Sequence, residues 1–370
     1  MDRPVRRNIV ISAVNLRKGG TLTVLRKCLY YLSTRSDLHV TALVHKRELC
    51  DFKGIDYIEI PWSSGSWPQR LWCEYITMNR ISKQLPKTDL WLSLHDTTPR
   101  VKASRQAVYC HNSFPFMKPR LRDWQMDYKI PLFSLFSRFA YRWNVHSNHY
   151  LVCQQNWMRE RLSQMLHFDK ERIIVAPASE QFKASAPSAQ RQGNDVFTFI
   201  YPATADCHKN FETACSAARI LEQRIGPDKF RLILTISGTE NRYSRFLNER
   251  YGDISNIDFH GLMPQKELFD CYSKADCLVF PSRTETWGLP ISEFLSTGKP
   301  MILADLPYAH ETASGAGEVA FFDTMNANEL ADRMQDIIEG RLEHFVPVPA
   351  DSYSKPYAQG WDSLFDLLLK

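Results

Sequence analysis

The chain has 370 residues, 44% of them hydrophobic and 24% charged, with a formal net charge of +5. That length and composition describe an ordinary globular protein of about two domains, and no run approaches the roughly 18–20 uncharged apolar residues of a membrane span. Nine cysteines without paired or metal-like spacing argue against a disulfide scaffold and lead to the expectation of a reduced, cytoplasmic chain.

The first residues, Met1 to Arg7, run straight toward a strand and lack the apolar core and small-residue cleavage site of a secretory leader. Asn8 to Val14 reads as that strand. A basic, glycine-bearing loop follows over Asn15 to Gly20, and a helix is predicted from about Thr21, with Leu22, Leu25, Leu29 and Leu32 on one face. Short apolar runs at 39–45, 90–95, 106–110, 150–153 and 173–176 alternate with helix-like segments, the pattern of a parallel sheet covered on both sides. Residues 177–195, rich in Ser, Ala, Pro and Gln, read as a linker. A second β/α series then runs through 197–201, 231–237, 277–280, 301–304 and 319–322. From Ser352 onward, Trp361, Leu364, Phe365 and Leu368 fall at helical spacing. The predicted architecture is α/β: two Rossmann-like, doubly wound parallel-sheet domains over 1–176 and 196–349, with a last helix in 350–370 expected to pack back on the first.

Charge is unevenly spread. Residues 1–175 hold 28 Lys and Arg against 14 Asp and Glu, leaving 18 basic and 27 acidic residues beyond, so the halves carry +14 and −9. A basic first half suits phosphates or an anionic membrane surface. It also suits nucleic acid, but no recognition motif for one is present, so no nucleic acid is expected. Residues 112–149 interleave aromatic and basic side chains, and 62–80 have similar character, a composition that interfacial membrane contacts use.

The chemistry concentrates in Pro281-Ser-Arg-Thr-Glu-Thr-Trp-Gly-Leu-Pro-Ile-Ser-Glu293. Cys277 to Phe280 is the strand before it, Pro290 suits a first helical position, and Gly298 with Pro300 ends the helix. Glu285 therefore lies in the loop after a parallel strand and Glu293 in the helix that follows, at the end of the sheet where open α/β folds bind ligands. Carboxylates accept hydrogen bonds from vicinal hydroxyls, Gly288 lets backbone approach a phosphate, and the helix start offers it free N–H groups.

With Pro281-Ser282 before it and Gly288-Leu289-Pro290 inside it, Glu285-x7-Glu293 resembles the signature of the retaining GT-B glycosyltransferases of the family 4 type, similar to bacterial O-antigen and capsule enzymes. The resemblance is strong over about 200–345, fair at 8–30 and 106–115, and weak over 46–90 and 112–150. It implies two domains facing a cleft and a site residue by residue. Glu293 is expected on the ribose hydroxyls and Glu285 on those of the donor sugar. Gly19 and Gly20 are expected beside the donor diphosphate, with Lys209, Asn210, and the loop positions Trp287, Gly288 and Leu289. Backbone near Leu262 and Met263 is expected at the base. His111 is expected to reach the transferred sugar, with Asn112 beside it, and Asp96 is a candidate contact to the acceptor hydroxyl. The family's Arg before the Lys is replaced here by Thr204, so one phosphate-binding charge is missing, and Arg283 is the candidate to replace it.

The function so implied is transfer of a sugar from a nucleotide-diphosphate donor to a hydroxyl of a growing glycan, a lipid-diphosphate-linked surface polysaccharide on the inner face of the membrane. No Asp-x-Asp occurs, so neither a metal nor another cofactor is expected, and protein groups must stabilise the leaving diphosphate. The residues fit a GDP-mannose type and a UDP-hexose type donor equally. Two other readings stay open: a nucleotide-sugar epimerase or hydrolase on the same scaffold, and a sugar-nucleotide-binding protein without turnover.

Overall fold

The computed structural model describes residues 6–177, 196–350 and 353–370, so the predicted linker beyond Pro177 lies outside the described residues. The chain divides into two compact units. One comprises Met1–Pro115, Phe136–Glu180 and Tyr353–Lys370, the other Phe116–Leu135 and Gln181–Ser352.

The first unit is built on seven parallel strands: β1 (Arg7–Ala13), β2 (Leu38–Val44), β3 (Ile55–Glu59), β4 (Leu90–Ser93), β5 (Arg105–Tyr109), β6 (Tyr150–Cys153) and β7 (Ile173–Val175). Their order is β3-β2-β1-β4-β5-β6-β7. The second unit repeats the scheme with β8 (Phe197–Tyr201), β9 (Phe230–Leu234), β10 (Ile257–Phe259), β11 (Cys277–Phe280), β12 (Met301–Ala304) and β13 (Val319–Phe322), in the order β10-β9-β8-β11-β12-β13, again all parallel. Chain progression reverses between β1 and β4 in one sheet and between β8 and β11 in the other. Switch points of this kind, beyond the strand carboxyl ends, are where open α/β sheets bind ligands. β4, β11 and β12 are buried at every residue, because helices cover both faces of a parallel sheet; that is why they read as unbroken apolar runs.

The helix after β1 runs Gly19–Ser33 and sends Leu22, Leu25, Leu29 and Leu32 into the core. It starts two residues before the predicted Thr21, because Gly19 takes φ +66° at the turn, a conformation open to glycine. The final helix, Gly360–Leu369, sets Leu364, Phe365 and Leu368 into the same core as Ile9, Leu25 and Leu92. Tyr31 stacks on Phe365 with ring centroids 5.7 Å apart. Ahead of that helix, the buried Arg159 guanidinium donates to the Ser354 carbonyl at 2.9 Å, which ties the tail to the same unit. All nine cysteines are free thiols.

Although Phe116–Leu135 lies between β5 and β6 in the chain, it groups with the second unit. Its helix Leu121–Met126 meets the turn Cys207–Lys209. The next helix, Lys129–Arg142, is turned inside out. Ser134, Ser137 and Tyr141 are buried, whereas Leu132, Leu135, Phe136 and Phe139 are exposed, the two phenylalanines to 61% and 60%. The exposed positions follow the i, i+3, i+4, i+7 spacing of one helical face. No helix among the described residues is long and apolar enough to cross a membrane.

Phe365 is fully buried, so Phe365→Ala is expected to destabilise the first unit by about 3–5 kcal/mol, measured as a lowered midpoint in urea with the second unit's transition unmoved.

Candidate functional site

The richest cluster stands where β8 and β11 diverge. Leaving β11, the chain passes Pro281 and the buried Ser282 into the loop that carries Glu285. Ser282 Oγ donates to Glu285 Oε1 at 2.6 Å, and Lys209 Nζ donates to the same oxygen at 2.6 Å. Lys209 and Glu285 are 16% and 14% exposed, enough shielding for the ion pair to feel an interior dielectric. Lys209 is positioned from the β8 side: its carbonyl accepts a short hydrogen bond from the Tyr201 hydroxyl on β8. Glu285 Oε2 makes no hydrogen bond to the described residues, so half of the carboxylate faces outward for a ligand.

Asn210 adopts the left-handed conformation at φ +58°. Its amide donates to the carbonyls of Pro281 at 3.1 Å and Thr324 at 2.8 Å, and its oxygen accepts from Thr213. Asn210 is buried and its amide holds these loops together. The buried Trp287 indole donates to Ser292 Oγ at 2.6 Å. Gly288 has φ +81°, and a Cβ there would stand 3.2 Å from Ile291 Cδ1, so the turn into helix Leu289–Leu295 requires glycine. The Leu289 side chain is exposed.

Glu293, on that helix, is half-buried and accepts from the Tyr272 hydroxyl at 3.0 Å through Oε2. Burial pushes its carboxyl above the usual range, and the Tyr272 hydrogen bond offsets part of the shift. Oε1 is left for a ligand. Met263 is buried and its neighbour Leu262 is 87% exposed.

Arg283, the candidate to stand in for a charge at Thr204, is itself paired. Its guanidinium makes a two-pronged ion pair with Asp123, at 2.9 and 2.7 Å. Thr204 is exposed and donates to Asp206 at 2.6 Å. His208 is held neutral by burial, with Lys209 and Arg283 adding to the downward shift. Lys209 is the more exposed of the two paired cations, at 16% against 7% for Arg283.

In the first unit, the ends of β1, β4 and β5 carry the other predicted residues. Gly19 and Gly20 are exposed at a helix start with no side-chain cap and no acid in its first turn, a polarity suited to an anion. Asp96 has φ +70°, and its carboxylate accepts from the His111 amide at 2.5 Å; burial pushes it upward and that hydrogen bond pulls it back. Asn112 Oδ1 accepts from the Phe114 amide at 2.8 Å and closes its own turn. His111 lies against Tyr109, ring centroids 4.2 Å apart, and neither ring nitrogen has a hydrogen-bond partner among the described residues. Burial pushes its pKa down to about 3, so the imidazole is neutral at physiological pH and serves as a hydrogen-bonding group.

Sequence reasoning gave Ser282 only as part of the motif, with no role, and did not single out Tyr272 or Asp123. Ser282 carried a signal in its place beside Glu285. Tyr272 and Asp123 reach the site from other elements and carried none. Beneath the ends of β1 and β4 lies a buried network in which Glu74 Oε1 accepts from Arg70 and Thr97, both at 2.8 Å, and His95 hydrogen-bonds with Ser12 at 2.9 Å.

Because burial raises the folded-state pKa of Glu293, its protonated form is favoured by folding. That contribution is full below the unfolded value of about 4.3 and is lost as pH rises through the folded value. Glu293→Gln is therefore expected to equal the parent in thermal midpoint at pH 4 and to match or exceed it at pH 7, read by scanning calorimetry. A midpoint lower at pH 7 than at pH 4, relative to the parent, would contradict this.

Residues 183–347 match the family model described as Glycosyl transferases group 1. The O-antigen chain mannosyltransferase RfbU of Salmonella typhimurium is 24% identical over 235 residues, 63% of this chain and 60% of that protein. The chain thus spans about three-fifths of that relative's length. The O-antigen chain mannosyltransferase B of Escherichia coli is 32% identical over 124 residues, 33% of this chain and 32% of that protein. Among solved structures, WaaG, a glycosyltransferase involved in lipopolysaccharide biosynthesis, superposes with a TM-score of 0.60 at 15% identity, covering 90% of this chain and 92% of that one. HepE of Anabaena, in complex with UDP and glucose, gives 0.62 at 14% identity, covering 92% of each. The chain has the GT-B fold of two parallel-sheet α/β units, and its second unit carries the stretch that matches the group 1 glycosyltransferase model.

Proposed function

We propose that the protein is a retaining, metal-independent glycosyltransferase that moves a sugar from a nucleotide-diphosphate donor to a hydroxyl of a growing, lipid-linked surface polysaccharide. The observation that carries this reading is the Lys209–Glu285–Ser282 cluster at the switch point of the second sheet, with the free oxygen of Glu293 on the helix that follows. Relatives named O-antigen mannosyltransferases and a structural neighbour solved with UDP and glucose support the substrate class.

In this reading, Glu293 Oε1 accepts from the ribose hydroxyls, Glu285 Oε2 from hydroxyls of the donor sugar, and Lys209 meets the diphosphate. As the bond from the anomeric carbon to the phosphate oxygen breaks, negative charge grows on the leaving diphosphate, and Lys209 stabilises it there. The acceptor oxygen bonds to the same carbon on the face the diphosphate leaves, and its proton passes to that diphosphate, so no protein base is required. In the first unit, His111 is neutral and its buried ring nitrogens make no hydrogen bond to the described residues; its assignment to a sugar hydroxyl rests on the family resemblance. The amides at Gly19 and Gly20 are available to a phosphate.

The inside-out helix Lys129–Arg142 supports a membrane-borne acceptor. It presents Phe136 and Phe139 to solvent, with Lys129, Arg138 and Arg142 in the same helix. Apolar side chains beside cations suit an anionic lipid interface.

Two outcomes are expected. Glu285→Gln folds normally but loses about 2–4 kcal/mol of transition-state stabilisation in kcat/KM for donor turnover; near-parental turnover would remove Glu285 from the site. The protein co-sediments with phosphatidylglycerol vesicles at low salt, and Phe136→Ser with Phe139→Ser weakens the association. Full recovery of the parent in the supernatant would remove the membrane from the account.

A further inference from the structure

Asp123 and Arg283 are 160 positions apart in the chain, yet their side chains are only 3% and 7% exposed and meet through two hydrogen bonds. Arg283 stands two residues before Glu285, and its backbone amide donates to the His208 carbonyl at 2.8 Å, next to Lys209. The pair thus grips the loop after β11 where Glu285 meets Lys209 from the loop after β8. Asp123 has little freedom to move. Its Oδ2 also accepts from the Arg120 amide at 2.8 Å, capping helix Leu121–Met126. The adjacent Arg122 pairs with Glu212 at 2.6 Å and lies over the Phe246 ring. The helix is pinned by consecutive residues.

We propose that Asp123 is a positioning residue of this site: through Arg283 it sets the Pro281–Glu285 turn and keeps the guanidinium away from the Glu285 carboxylate. The proposal rests on the reading of Glu285 as a donor ligand. Without Asp123, a buried guanidinium would lack its counter-charge, and the carboxylate available in its own loop is Glu285. Arg283 would compete with Lys209 for that group, disturbing the ion pair and the open oxygen together.

The test is a mutant cycle of Asp123→Asn, Arg283→Gln and the double variant in the full-length protein, with two readouts. The first is amide hydrogen exchange over 281–295 without any donor. Asp123→Asn is expected to speed exchange there by about tenfold or more, with β1 to β7 unchanged. The second is kcat/KM for hydrolysis of whichever sugar nucleotide the parent turns over among UDP-glucose, UDP-galactose and GDP-mannose. Asp123→Asn is expected to lose on the order of 10- to 100-fold, and the double variant to fall no further than the worse single one, the non-additivity of residues acting through each other. Unchanged exchange over 281–295 in Asp123→Asn overturns the proposal, as do losses that add. The exchange readout decides the matter even for a parent inactive on all three donors, an outcome that would count against the functional reading alone.

Discussion

The candidate site depends on one ion pair. Lys209 follows β8 and Glu285 follows β11, two strands far apart in sequence and adjacent in the sheet. Parallel pairing of β8 with β11 at the point where strand order reverses brings the two loop ends to the same place. The lysine is then held by its backbone to Tyr201 and by its side chain to Glu285, and Ser282 holds the same carboxylate from below. Each group is oriented before any ligand arrives, which lowers the ordering cost of binding.

Around that pair the protein spends its polar groups on placement. Asn210, Trp287, Thr312 and Tyr308 all point inward, to the carbonyls of Pro281, Thr324, Trp287 and Ser282 or to the Ser292 hydroxyl. An unpaired buried polar group costs about 1–3 kcal/mol, so these partners define one loop conformation strongly. Asp123–Arg283 extends the same logic with charges, where the penalty for losing a partner is larger. Two carboxylate oxygens, Glu285 Oε2 and Glu293 Oε1, make no hydrogen bond to the described residues; in the proposed function they are the acceptors for a polyhydroxylated ligand.

Much of this was legible in the sequence, for identifiable reasons. The central strands are covered on both faces and so read as continuous apolar runs. The edge strands β3 and β10 did not, since Asp56, Glu59 and Asp258 sit on them and charged side chains are what an exposed sheet edge tolerates. Glu285, Gly288 and Glu293 were visible because a strand, a turn and a helix start impose their spacing locally. The Arg283–Asp123 pair was not legible, because its members lie 160 residues apart and no periodicity encodes a contact of that range. The grouping of Phe116–Leu135 with the second unit was hidden for the same reason. The inside-out helix Lys129–Arg142 was visible as an aromatic and basic composition, but which face turns outward needed the coordinates.

The central claim, that the Lys209–Glu285 cluster is a nucleotide-sugar site, is tested most directly by titrating the parent with UDP-, GDP-, dTDP-, ADP- and CMP-sugars in a calorimeter while assaying release of the free nucleotide. The account predicts that a donor of one base binds and is slowly cleaved, and that Lys209→Met abolishes both signals. Absence of binding by every member of the panel, or binding that Lys209→Met leaves intact, would contradict it.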